Sequence, residues 1–197
     1  MFNSSGHRVG VTGPGFYGRG LPGLVHWSGN GAAGADILLQ IGGYHGPIHR
    51  VPWCEMYFAD NNSWIEVADM NRPRGHLRFA CKITKDDLVF VPAGWDDTNH
   101  PQNTAELYDR TTDTWTLCAD TLTEMRGGHI TDEMPNGHYF IIGLGSGAEF
   151  YDHSTGLFTW AGLVYGPGRE QFNHTQLDDG SFMYVGGAGK VVEKLVP

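Results

Sequence analysis

The side chains able to do chemistry in this sequence are ten histidines, three cysteines and an acidic pair, Asp96-Asp97, just ahead of His100. That last group offers a divalent cation two carboxylates and an imidazole and so permits a calcium site, but such a site takes about six to eight oxygen ligands and the two carboxylates lack the rest. No His-x-His or His-x-Glu pair occurs, so no metal centre and no cofactor is expected. Cys54, Cys81 and Cys118 lack a Cys-x-x-Cys pairing, which argues against a zinc knuckle or a disulfide framework; one disulfide beside one free thiol is compatible with the count. There is no Gly-x-Ser-x-Gly elbow, and the glycine-rich stretch 143–147 runs into a strand where a phosphate loop would need a helix. No residue is therefore assigned a catalytic role. What remains is recognition chemistry. Trp53, Trp95, Asp96, Asp97 and His100, with His45 and His49 and with Arg72, Arg126 and Arg169, include the aromatic and arginine types that anchor interfaces.

The elements that must position these residues are short strands. Twenty-nine glycines and ten prolines in 197 residues exclude a long-helix or coiled-coil protein, because glycine and proline both weaken helices while tight β-turns need them. The sequence repeats itself. Glu-x-Tyr recurs at Glu55/Tyr57, Glu106/Tyr108 and Glu149/Tyr151, with a weaker counterpart at Glu193, and seven residues after each tyrosine stands Trp64, Trp115 or Phe158. Before each glutamate an apolar run closes in small residues: Gly42-Gly43, Ala93-Gly94, Gly143 and Gly186-Gly187. Upstream of each run lie an arginine and a histidine, expected to bond backbone carbonyls. Four apolar runs per unit, a to d, are punctuated by turn residues such as Asn136-Gly137 and Asp179-Gly180, which suit antiparallel hairpins.

This pattern resembles the kelch repeat: a glycine doublet after a hydrophobic strand, then Tyr and Trp about seven apart. The resemblance covers roughly residues 22–197 and implies an all-β fold, a β-propeller of four-stranded blades with units near 22–70, 71–121, 122–165 and 166–197. Gly42, Gly43, Gly94, Gly143, Gly186 and Gly187 would turn the backbone, while Tyr57, Tyr108, Tyr151, Trp64, Trp115 and Phe158 would fill the space between blades. Strands b are expected near 37–43, 88–94, 139–143 and 182–187. A closed four-blade ring and part of a larger propeller both fit four units. In the closed case residues 7–12, within the glycine-rich segment 1–21, would pair with the strand holding Glu193 and hide an open edge.

In a four-stranded meander the b-to-c and d-to-a connections share one face. Two of the b-to-c loops, 44–53 and 95–103, are long, and long loops of this composition tend to be functional. The expectation is a protein-binding or assembly scaffold, with a protein or glycan ligand on that face and possible homo- or hetero-assembly. The alternative that the resemblance implies is an extracellular carbohydrate-active or oxidase-type enzyme; a copper oxidase of that kind needs tyrosines, histidines and a cysteine on axial loops, whereas these cysteines fall in predicted strands. A net charge of -9 opposes nucleic acid and anionic membranes, and no apolar run reaches the about 18–20 residues of a membrane span. Glycosylation acceptor patterns at Asn3, Asn61 and Asn173 exceed the roughly one expected by chance. They favour an extracellular setting, with a cytoplasmic one as the alternative.

Overall fold

The computed structural model describes residues 15–46, 49–124, 126–163, 172–187 and 192–196. These residues form strands and turns, with one 3-10 turn at Ala32–Gly34. In chain order the strands are β1 (Gly23–Trp27), β2 (Ile37–Ile41), β3 (Tyr44–His45), β4 (His49–Arg50), β5 (Cys54–Phe58), β6 (Ser63–Val67), β7 (Lys82–Ile83), β8 (Val89–Pro92) and β9 (Ala105–Asp109). They continue as β10 (Thr114–Leu117), β11 (Ile130–Glu133), β12 (Tyr139–Ile142), β13 (Gly147–Asp152), β14 (Leu157–Leu163), β15 (Asn173–Gln176), β16 (Phe182–Val185) and β17 (Val192–Leu195). Three antiparallel sheets, β1-β2-β5-β6, β7-β8-β9-β10 and β11-β12-β13-β14, are the first three blades, and β15-β16-β17 is the fourth. The four-blade propeller arrangement and the positions of strands b (β2, β8, β12 and β16) match the sequence expectation. Residues 7–12 lie outside the described residues, as do Asn3 and Arg169.

Each local device has a physical reason. Strand β1 alternates buried and exposed side chains because it has one covered face, whereas β8 and β12 are buried throughout because blades cover both faces. The backbone leaves β2 through Gly42 and Gly43 at φ +54° and +104°, and a Cβ on Gly42 would lie 2.4 Å from the Arg74 carbonyl oxygen. Only glycine fits there. In blade 2 Ala93 takes the first of these positions at φ 52°, a left-handed conformation that costs an L residue about 1–2 kcal/mol.

The aromatic pairs sit directly opposite each other on neighbouring strands: Tyr57 with Trp64, Tyr108 with Trp115, and Tyr151 with Phe158. Their ring centroids are 5.2, 4.9 and 4.7 Å apart. The Tyr57 and Tyr108 hydroxyls donate to Asn62 and Asp113, the turn residues that also carry positive φ. Trp115 is buried and its Nε1 donates to the Ala68 carbonyl of blade 1. Trp64, expected as inter-blade packing, is only partly buried.

Among the described residues three buried arginines act as staples. The Arg74 backbone accepts from Gly43 N–H in blade 1 (2.8 Å), while its side chain donates to Glu106 at 3.1 and 3.0 Å and to the Ala93 and Thr104 carbonyls in blade 2. Arg126 repeats this one blade on: its carbonyl accepts from Gly94 N–H, and its guanidinium donates to Glu149 at 3.2 and 2.8 Å and to the Gly143 and Gly147 carbonyls. Arg19 makes the corresponding ion pair with Glu55 ahead of blade 1. All six side chains are inaccessible to solvent. A buried charge is tolerable only when paired and hydrogen-bonded. Arg74 meets that condition with Glu106 and the carbonyls at a strand end, and Arg126 meets it with Glu149, Glu124 and such carbonyls. Arg19 pairs with Glu55 and the Gly42 and Trp53 carbonyls, while its Nε has no partner among the described residues.

The first strands of the later blades line the axis. Buried Asp132 on β11 joins three blades there, facing Lys82 Nζ at 3.6 Å and His174 Nε2 at 3.0 Å and accepting from the Tyr184 hydroxyl at 2.9 Å.

Candidate functional site

The two long loops meet. Short strands β3 and β4 make a hairpin in which Tyr44 pairs with Arg50 and His45 with His49. The Arg50 guanidinium lies 4.4 Å from the Tyr44 ring centroid and 6.0 Å from that of Trp95, and Nη2 donates to the Tyr44 hydroxyl and to Asn99 Oδ1 in the second loop. Arg50 is buried, and burial lowers its pKa from the ordinary guanidinium value. His76, leading into blade 2, packs between Tyr44 (5.0 Å) and Trp95 (5.8 Å). This cluster makes one rigid platform of loops from two blades.

Around the platform the remaining groups have separate duties. Trp53 packs against Tyr17 with the rings tilted and their centroids 4.3 Å apart, and meets the His45 ring edge-on at 5.1 Å, which leaves it half-buried. Asp96 folds its own loop: Oδ1 accepts from Thr98 N–H, Thr98 Oγ1 and His100 N–H at 2.8–2.9 Å. Burial works to raise its carboxyl, but these hydrogen bonds outweigh it and hold the group below the ordinary aspartate range. Asp97, His100, His45, His49 and Arg72 are exposed.

Sequence-predicted Trp95, Asp96, Asp97 and His100 therefore come together on one loop, and Trp53 stands beside the neighbouring hairpin. Arg126 does not join them. It is 0% exposed and bound within the blade 2–3 seam, so its assignment as a surface anchor is corrected to that of a staple. The residues missed in the sequence are Arg50, Tyr44 and His76. The glutamates that neutralise the staples were also missed, though three Glu-x-Tyr motifs, each with an upstream arginine, carried that signal.

Two imidazoles on this face are held neutral. Burial, followed by the Arg126 charge, pushes His129 down to about 3, with the Pro92 carbonyl opposing only in part. Burial and then Arg78 lower His76. The cysteines are free: Cys54 heads β5, Cys81 precedes β7 and Cys118 follows β10. Burial raises all three thiols, Cys81 to about 12, which suppresses thiolate chemistry.

Comparison with known proteins gives three findings. The kelch motif matches residues 78–121. The chain is 33% identical over 87 residues to Kelch-like protein 28 of Mus musculus, covering 41% of this chain and 15% of that protein. A solved structure of a fungal alcohol oxidase of the AA5 family, in complex with copper, superposes with a TM-score of 0.65 and 19% identity over 85% of this chain and 35% of that one. The chain thus spans about a third of the oxidase and less of the curated relative, and the oxidase likeness concerns the fold alone. Among the described residues no three His, Cys, Asp or Glu side chains are grouped to hold a metal ion.

Proposed function

Because this chain is a kelch-repeat β-propeller protein, we propose that it is a binding scaffold whose protein partner docks on the long-loop face of blades 1 and 2. The observation that carries this reading is Arg50, which locks Tyr44, Trp95 and Asn99 of two adjacent loops into one preformed surface. Preorganisation matters because association must otherwise meet the entropy of ordering loops. Trp53 and Trp95 supply contact area at small entropic cost, and exposed His45, His49, His100, Asp97 and Arg72 supply a polar rim.

Among the described residues no helix is long and apolar enough to cross a membrane, and the net charge of -9 favours a partner with basic groups near Asp97. An extracellular setting belongs to the same proposal, supported by the exposure of the acceptor residues Asn61 and Asn173.

The test is the double substitution His45→Glu and Asp97→Arg, both at exposed positions. It should weaken association with a partner purified from native material several-fold and leave the melting temperature unchanged. Full affinity would remove this face as the docking surface, and a glycan displacing the partner competitively would replace a protein ligand with a carbohydrate one.

A further inference from the structure

At the axial end of the same face the segments leading into the first strands of all four blades enclose a cavity of about 180 Å³. Its polar wall holds His76, Arg78, His129 and Asn173, and its apolar wall holds Leu21, Phe79 and Phe172. No carboxylate is among its described lining residues, although the chain as a whole carries nine excess negative charges.

Two features mark the cavity as built. His76 Nδ1 is buried and has no hydrogen-bond partner among the described residues, and the ring of His129, 2% exposed, has only the Pro92 carbonyl beside it. Buried polar groups are nearly always satisfied, so orphaned ones facing a cavity point to a ligand that satisfies them. His76 also holds φ at +60°, an uncommon conformation for a side chain of this size that persists where the surroundings over-determine it.

We propose that this axial cavity binds a small carboxylate carrying an apolar or aromatic ring. Arg78 supplies a cationic side chain among the described lining residues and a planar fork of donors that matches a carboxylate. A neutral His76 imidazole presents its one N–H to the same anion. A divalent cation meets the opposite field and no three-ligand set among the described residues. Phe79, Phe172 and Leu21 exclude a fully hydrated ligand and suit a ring. At roughly 30 Å³ per water, the cavity holds about six waters, the space of one six-membered ring with its carboxylate. The site does not depend on the docking face, since its occupant needs no macromolecular partner.

The experiment titrates the protein with benzoate, and with benzamide as its uncharged isostere, by calorimetry and by the imidazole ¹⁵N resonances. Saturable benzoate binding that shifts the His76 and His129 signals is expected, with benzamide at least about tenfold weaker. The variant Arg78→Gln, at an exposed position, should keep the melting temperature and lose about tenfold in benzoate affinity. Equal binding of benzamide, unmoved imidazole signals, or full affinity in the variant would overturn the proposal. Inorganic phosphate binding as tightly as benzoate would overturn the ring-bearing carboxylate in favour of a general anion site.

Discussion

Replacing Arg126 by Met separates a staple from a surface anchor. The substitution keeps most of the aliphatic stem and removes the guanidinium. Glu149, inaccessible to solvent, then loses both charged donors, and the Gly143 and Gly147 carbonyls lose theirs. Removing one partner of a buried ion pair costs about 3–5 kcal/mol, because the remaining charge stays desolvated. Buried carbonyls left without donors each add about 1–3 kcal/mol unless water reaches them. Against a typical domain stability of about 5–15 kcal/mol the variant should be barely folded. At about 2–4 °C per kcal/mol for a chain of this size, the melting point should drop by at least about 6 °C. Urea unfolding followed by tryptophan fluorescence and by circular dichroism measures the change directly. The double variant Arg126→Met with Glu149→Leu should recover much of the loss, since replacing both partners of a buried pair is often close to neutral. Arg72→Met, at an exposed position, should lie within about 0.5 kcal/mol of the parent. A loss below about 1 kcal/mol for Arg126→Met, or no recovery in the double variant, would refute the staple.

Trp115→Ala should cost about 3–5 kcal/mol, as truncation of a buried aromatic does, whereas Trp64→Ala should cost clearly less because Trp64 is only partly buried; equal losses in denaturant titration would contradict the observed difference in packing. His129 has a folded-state pKa lowered from 6.5 to about 3, so the unfolded chain binds the extra proton and stability falls as pH drops from about 6.5 towards 3. The slope approaches about 1.4 kcal/mol per pH unit at most. His129→Asn should flatten that part of the pH profile, and an unchanged slope would assign acid sensitivity elsewhere. Production through a eukaryotic secretory route should add a glycan at Asn61, which is exposed in the β5–β6 turn; an unmodified mass there would count against an extracellular setting.

The fold was legible in the sequence because its determinants are local and repeat in register. Gly42-Gly43 must turn, Tyr57 must meet Trp64 across a hairpin, and Asn62 must tolerate positive φ, and each requirement is written within a few residues. The site was legible only in part. Loop length placed Trp95, Asp96, Asp97 and His100 together, but the role of Arg126 depends on Glu149, 23 residues away in sequence. The repeat itself predicts that its upstream arginine bonds backbone carbonyls, as Arg126 does at Gly143 and Gly147, but not the buried carboxylate that neutralises it. Arg50 was hidden for the same reason: its partner Asn99 lies 49 residues on, in another blade. His129 shows the converse, since a histidine ahead of a strand gives no sign that burial will push its pKa down to about 3.

The central claim is that the partner docks on the loops joined by Arg50. A photo-reactive residue placed at Asp97, and separately at Thr155 in the exposed turn at the opposite ends of the strands, tests it most directly in native material. The account predicts one discrete protein conjugate from position 97, lost when His45→Glu is added, and none from position 155. The same conjugate from position 155, or none from position 97, would contradict it.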